Sequence, residues 1–144
     1  MREILFKAKI IDNGEWLEGV PVDVTPLECF SSDPERKELL MVRAGFADWG
    51  MPRKLEGAKV DPKTVCQYTG LTDKSGNKIF EGDIVSIKNP EPFSAWVCKV
   101  IYKDCCFWLD GISREATVFL ADYTTDVEMS VVGNVHDKEE TNAQ

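Results

Sequence analysis

Three carboxylates fall close together in the middle of the chain: Asp73, Glu81 and Asp83, each beside a glycine or a turn. Acids gathered in this way are the raw material of a general acid–base site or of a site for a hard metal ion. The same residue types are also what tight turns require. An aspartate at the first turn position accepts from the backbone two residues on, and a glycine further along takes positive φ. In Asp73-Lys74-Ser75-Gly76 both features coincide, and Glu81-Gly82-Asp83 leads directly into the alternating Ile84-Val85-Ser86-Ile87. Local backbone bonding explains all three acids, so the reading is structural: Gly70, Asp73, Gly76, Gly82 and Asp83 steer the backbone between strands. The three glycines lie six residues apart and fit no phosphate-binding loop.

The other reactive side chains form no catalytic constellation. Cysteines stand at 29, 66, 98, 105 and 106, without a Cys-x-x-Cys pair. An odd count fits a reducing compartment better than a disulfide framework, and buried thiols packed as small hydrophobes are the expectation. Cys105 and Cys106, if in a strand, point to opposite faces. The single histidine, His136, has no serine, cysteine or carboxylate partner at a telling spacing. No zinc-type ligand spacing occurs. Tyr68-Thr69-Gly70 reads as a packed tyrosine followed by a glycine bend. Trp96 and Trp108 lie mid-strand and read as core. Phe46, Trp49 and Met51 differ, because they sit among Gly45, Gly50 and Pro52. Aromatics and methionine in such a loop mark a candidate protein-contact surface. Catalytic, cofactor and metal residues are therefore expected to be none.

Charge narrows the partner. Seventeen basic residues stand against 25 acidic ones, a formal net charge of −8. Affinity for nucleic acid rests on lysine and arginine, so an acidic chain without a basic strip is steered away from it. No apolar run is long enough to span a bilayer. The opening Met1-Arg2-Glu3-Ile4-Leu5-Phe6-Lys7 mixes charges with apolar residues, unlike a signal peptide. The expectation is a cytoplasmic protein with no membrane partner and no cofactor.

The positioning elements are mostly strands. Residues 3 to 10 alternate, Asn13-Gly14 is a tight-turn pair, and Glu15 to Val22 resumes strand composition, with Pro21 suggesting an edge. Asp33-Pro34-Glu35 resembles a helix start, while Leu39-Leu40-Met41-Val42 also suits a buried strand, so residues 34–44 remain helix or strand. Phe46 to Lys63 reads as loop plus a short strand near Ala58-Lys59-Val60. From residue 65 short strands recur: 83–87, 94–102, 105–109, 117–120 and 126–135, a small-barrel pattern. The predicted organisation is α+β and mainly β. A mixed N-terminal region spans 1–64, a β-barrel region 65–137, and a polar tail 138–144.

Gln67-Tyr68-Thr69-Gly70-Leu71, Asp73 with Gly76, and Ile79-Phe80-Glu81-Gly82-Asp83-Ile84-Val85 together resemble the YopX-like proteins of phages and prophages. Arg2-Glu3-Ile4-Leu5-Phe6-Lys7-Ala8, Val60-Asp61-Pro62-Lys63-Thr64-Val65 and Val131-Val132-Gly133-Asn134-Val135 resemble the family's opening, its approach and its closing motif. Residues 25–58 carry none of this likeness. The resemblance implies an SH3-like barrel in the C-terminal part, a phage or prophage gene expressed in a bacterial cytoplasm, and no catalytic residue. With the residue reading, it leads to the expectation of a non-enzymatic module that binds a host or phage protein. Nucleic-acid binding through the small barrel is the alternative, and homo-oligomers are compatible with either.

Overall fold

Period-two alternation of apolar residues becomes ladder-paired strand along most of the described chain. The computed structural model describes residues 3–27, 37–45, 50, 53–88, 96–112, 117–123 and 128–137. Among them are eleven strands and two 3₁₀ turns, with no α-helix. The protein is mainly β; the α+β expectation fails in its helical part for the described residues. The chain forms two compact units, Met1–Gln67 and Tyr68–Gln144.

The N-terminal unit is built on β1 (Phe6–Lys9), β2 (Trp16–Asp23), β3 (Leu39–Gly45), β4 (Lys54–Val60) and the first residues of β5 (Cys66–Thr72). All its pairings are antiparallel, in the order β4-β3-β2-β1-β5. Between β1 and β2 Gly14 takes φ 71°, and Asn13 Oδ1 accepts from the Glu15 N–H at 2.9 Å. Residues 39–45 are strand, not helix. Leucine and methionine tolerate either state, and an unbroken register from Leu39↔Val60 to Gly45↔Lys54 decides it. β4 is correspondingly longer than the expected 58–60. The helix-start residues 33–36 lie outside the described residues. Ala8, Met41 and Val60 are buried at the centre, with Phe6, Ile10, Leu17, Leu39 and Val65 packed around them.

Pro21 is not on an edge strand, since β2 lies between β1 and β3. The reason it fits is a change of partner. Residues 16–19 of β2 pair with β1, whereas residues 20–23 pair with β3. Pro21 therefore sits where the ladder is one-sided, and there a missing N–H is tolerated. Gly19 marks the changeover. A Cβ added there would lie 2.4 Å from the Val42 carbonyl oxygen, a backbone atom that cannot swing aside. Gly19→Ala is expected to cost about 2 kcal/mol in urea unfolding of the N-terminal unit, as overpacking does; an unchanged midpoint would show that β3 moves away freely.

Asp61-Pro62 closes this unit. The Asp61 carboxylate accepts from the Lys63 N–H at 3.0 Å and Pro62 takes the first position of a 3₁₀ turn over Pro62–Thr64. A proline there loses nothing, because that N–H has no partner in a helical turn. Thr64 Oγ1 accepts from the Lys9 N–H at 2.9 Å and donates to the Asp61 carbonyl at 2.7 Å. A single bridge, Ile10↔Val60, also links the end of β4 to the residue after β1.

The C-terminal unit contains the rest of β5, β6 (Lys78–Phe80), β7 (Asp83–Lys88), β8 (Trp96–Lys103), β9 (Cys106–Gly111), β10 (Thr117–Phe119) and β11 (Glu128–Asn134). β5 and β6 form a hairpin, and the other strands follow the order β10-β9-β8-β7-β11. That order is open at β10 and β11, so the expected small barrel is not a closed one. Buried residues of β6, β7, β8, β9 and β11 and of the 3₁₀ turn Leu120–Tyr123 supply the core: Ile79, Val85, Ile87, Trp96, Cys98, Val100, Leu109, Leu120 and Met129. Between Val131 and Gly133 a bulge leaves Val132 as the extra residue, 62% exposed.

Cys105 does not begin a strand. Lys103 pairs with Cys106, leaving Asp104 and Cys105 as a two-residue turn with φ of 52° and 63°. Positive φ at both centres is the mirror-image turn that matches strand twist, and glycine is its preferred second residue. Cys105→Gly is expected to raise the melting temperature, with relief of about 1 kcal/mol of left-handed strain partly offset by glycine's entropy. A lower melting temperature would contradict it.

Candidate functional site

Asp73 lies at the tip of the β5–β6 hairpin and is 7% exposed. Its Oδ1 accepts from the backbone N–H groups of Ser75 at 2.9 Å and Asn77 at 2.8 Å. Its Oδ2 accepts from Asn77 Nδ2 at 3.1 Å and from the Val131 N–H at 3.1 Å. Burial pushes the carboxyl pKa up, but hydrogen bonds from Val131, Asn77 and Ser75 outweigh it and hold the group below its usual range. Gly76 takes φ 84° in the same turn.

Asp83 opens β7 and is fully buried. Its Oδ2 accepts from the Phe80 N–H at 2.7 Å and its Oδ1 from Asn134 Nδ2 at 2.9 Å. Gly82, at φ 81°, donates to the Val100 carbonyl and accepts from the Val135 N–H. Asn134 Oδ1 in turn accepts from the His136 N–H, and the Asn134 N–H reaches Asp137 Oδ2 at 2.8 Å. Thus Asp73 and Asp83 are set into separate backbone networks, one at each end of the 73–83 segment. Glu81 is half-buried. Among the described residues no three of His, Cys, Asp and Glu gather to hold a metal ion.

Tyr68 is half-buried, its ring 5.5 Å from that of Phe80 and capped by Lys78 Nζ at 5.5 Å. Thr69 Oγ1 donates to the Ile79 carbonyl at 2.7 Å. Gly70 takes φ 90°. Phe46, Trp49 and Met51 lie outside the described residues.

A feature that strand assignment alone did not reveal is an apolar cleft of about 350 Å³ in the C-terminal unit, lined by Thr69, Leu71, Cys106, Phe107, Phe119, Leu120 and Ala121. Leu71 and Phe107 pack against the core, Leu120 is buried, and Phe119 is 43% exposed. Register explains the aromatics here. Tyr102 and Phe107 face each other across β8 and β9, with ring centroids 5.2 Å apart; Trp108 and Phe119 stack across β9 and β10 at 4.0 Å. The next row along the same strands is polar: Lys99 Nζ lies 3.9 Å from Asp110, to which Thr117 Oγ1 also bonds. Aromatic residues at 102, 107, 108 and 119 are visible in the sequence, but their pairing depends on the β8–β9 and β9–β10 registers.

The thiols differ sharply. Cys66 and Cys98 are buried, while Cys105 and Cys106 are exposed. Burial, with the nearby Asp110, pushes the Cys98 thiol up to about 11. A maleimide added to the native protein at neutral pH is expected to modify Cys105 and Cys106 and to spare Cys66 and Cys98 until denaturant is added, as read by peptide mass spectrometry. Native labelling of Cys98 would contradict the packing.

Apart from Arg2 to Ala8, the motifs that carry the resemblance lie within the stretch that a family model matches. The YopX protein family model matches residues 25–141. The chain belongs to the YopX family. In this YopX chain the run from Val60 to Val65 is the capped turn that bonds β1, and 131–135 supplies the bulge and the Asn134 partner of Asp83. The match includes residues 25–58, where the sequence alone carried no likeness. The chain is also similar in fold to the crystal structure of protein EF1440 from Enterococcus faecalis. The identity is 20%, the TM-score is 0.56, and the superposition covers 97% of this chain and 98% of that one. No curated protein matches the chain. No helix among the described residues is long and apolar enough to cross a membrane.

Proposed function

We propose that this YopX chain is a non-enzymatic protein-interaction module, encoded by a phage or prophage and acting in the cytoplasm of the host bacterium on a host or phage protein. The observation that carries this reading is the aromatic-lined cleft beside β9 and β10. Apolar surface open to solvent beside stacked aromatics is the usual make-up of a contact patch. The placement of the central acids supports it: Asp73 and Asp83 are engaged with backbone N–H groups, as turn formation requires. We read the C-terminal unit as an opened relative of the SH3-like small barrels, supported by its antiparallel strand run and the bulge in β11. The net charge of −8 favours protein over nucleic acid as the ligand.

Affinity capture from lysate of a host bacterium, with and without nuclease, tests this. A discrete protein recovered equally in both arms is the expected result. Recovery of nucleic acid alone, or of nothing above a control bait, overturns the reading.

A further inference from the structure

Most strand edges among the described residues are short or covered. β6 and β10 are three residues long. The outer side of β11 is taken by the 73–74 turn: Asp73 Oδ2 accepts from the Val131 N–H, and the Lys74 N–H donates to the Met129 carbonyl at 3.2 Å. β4 is different. It runs for seven residues without a proline or a break in register, and β3 pairs with one side of it. On the other side the chain around the end of β1 reaches only its last residues. There the Ile11 N–H donates to the Lys59 carbonyl at 3.1 Å, and the Asp61 N–H to the Lys9 carbonyl at 2.9 Å. These bonds fix the direction of the backbone. The Lys59 carbonyl points away from β3, and in an antiparallel ladder residues two apart point alike, so the N–H and carbonyl groups of Leu55 and Gly57 point away from β3 as well. The Val42 carbonyl, on the residue opposite Gly57, agrees, because it is directed at Gly19 in β2. Leu55 and Gly57 are exposed, and among the described residues nothing bonds these outward groups. An edge of this kind is a template for another strand.

We propose that β4 pairs antiparallel with β4 of a second copy of this chain, about a twofold axis through Leu55. The side chains of β4 select both the occupant and the register. Ladder bonds form only where outward-pointing residues stand opposite one another, so the axis passes through a residue. An axis through Lys54 or through Glu56 sets like charges directly opposite each other. An axis through Gly57 sets Leu55 against Lys59, whose carbonyl Ile11 already holds. The axis through Leu55 sets Lys54 of each copy opposite Glu56 of the other, and Gly57 opposite Arg53. Lys54 and Glu56 are exposed, and among the described residues neither enters an ion pair, although Arg43 stands opposite Glu56 on β3. Val60 faces the core, so by alternation Leu55 lies on the outer face, where it is 72% exposed. In this register the two Leu55 side chains meet across the axis and leave water together. The proposal goes beyond the interaction reading above and does not rest on it, because the cleft belongs to the other unit.

The test is sedimentation-velocity ultracentrifugation of the full chain, at concentrations from about 10 μM to about 1 mM. The wild type is expected to pass from monomer to dimer as concentration rises, because a short ladder with exposed ion pairs is weak. Lys54→Glu and Glu56→Lys each set like charges opposite across the axis and are expected to weaken the dimer about tenfold. An equimolar mixture of these two variants is expected to restore it, since every crossed pair is then glutamate against lysine. Leu55→Pro removes an N–H that points outward, so the ladder with β3 stands and the protein is expected to be monomeric. Circular dichroism checks that each variant is folded. A wild type that stays monomeric at the highest concentration, a dimer that all three folded variants retain, or a mixture that associates no better than its separate components overturns the proposal.

Discussion

Asp83→Ala is expected to destabilise the C-terminal unit by about 4 kcal/mol, measured by urea unfolding followed by tryptophan fluorescence. The carboxylate is fully buried and accepts from Asn134 Nδ2, 51 residues on in the chain, and from the Phe80 N–H, three residues back. Alanine leaves both donors facing apolar surroundings, and each unsatisfied group costs roughly 1–3 kcal/mol. The damage spreads, because Asn134 also organises the following turn through its contacts with His136 and Asp137. Asn134→Ala should therefore couple with Asp83→Ala. The double variant is expected to lose less than the sum of the singles, by about 1–2 kcal/mol. A loss below about 1 kcal/mol for Asp83→Ala would mean that water or a shifted backbone replaces the carboxylate, and the structural reading of this acid would fall.

Asp73→Ala is expected to cost about 3 kcal/mol and to flatten the acid limb of the stability profile. Four donors converge on this carboxylate, three from its own turn and one, the Val131 N–H, from β11. Because these bonds hold the folded pKa below the ordinary value of 3.8, the unfolded chain takes up the proton first as pH falls. Asp73's contribution is thus complete above about pH 4 to 5 and is lost as pH drops through the folded pKa. Wild-type stability should decline more steeply than that of Asp73→Ala between about pH 5 and pH 3. Parallel profiles would show that the carboxylate and its protonated form serve the turn equally. The neighbouring Lys74–Glu128 pair, at 3.2 Å but exposed, contributes little by comparison.

Local chemistry was legible from the residues themselves. Aspartate and glycine spacing marked the 73–76 and 81–83 turns because an Asx bond and positive φ act within four residues and need no distant partner. Alternation marked most strands for the same reason, since a pleat repeats every second residue. Residues 39–45 and 105 were not settled, and each failure has a physical cause. Leu39-Leu40-Met41 is compatible with helix, and only pairing along the whole of β4 selects the strand. Cys105 reads as strand until the Lys103↔Cys106 register places it in the turn.

What the sequence by itself determined is where this chain bends and which faces of its strands are apolar. Only the tertiary structure decided which donors Asp73 and Asp83 take from β11 and its end, where β2 exchanges one neighbour for the other at Gly19, and how packing of β5 brings Leu71 to Phe107 and Phe119 around one hollow. Those are contacts between residues far apart in the chain, and their energies depend on a register that no window of neighbouring residues contains.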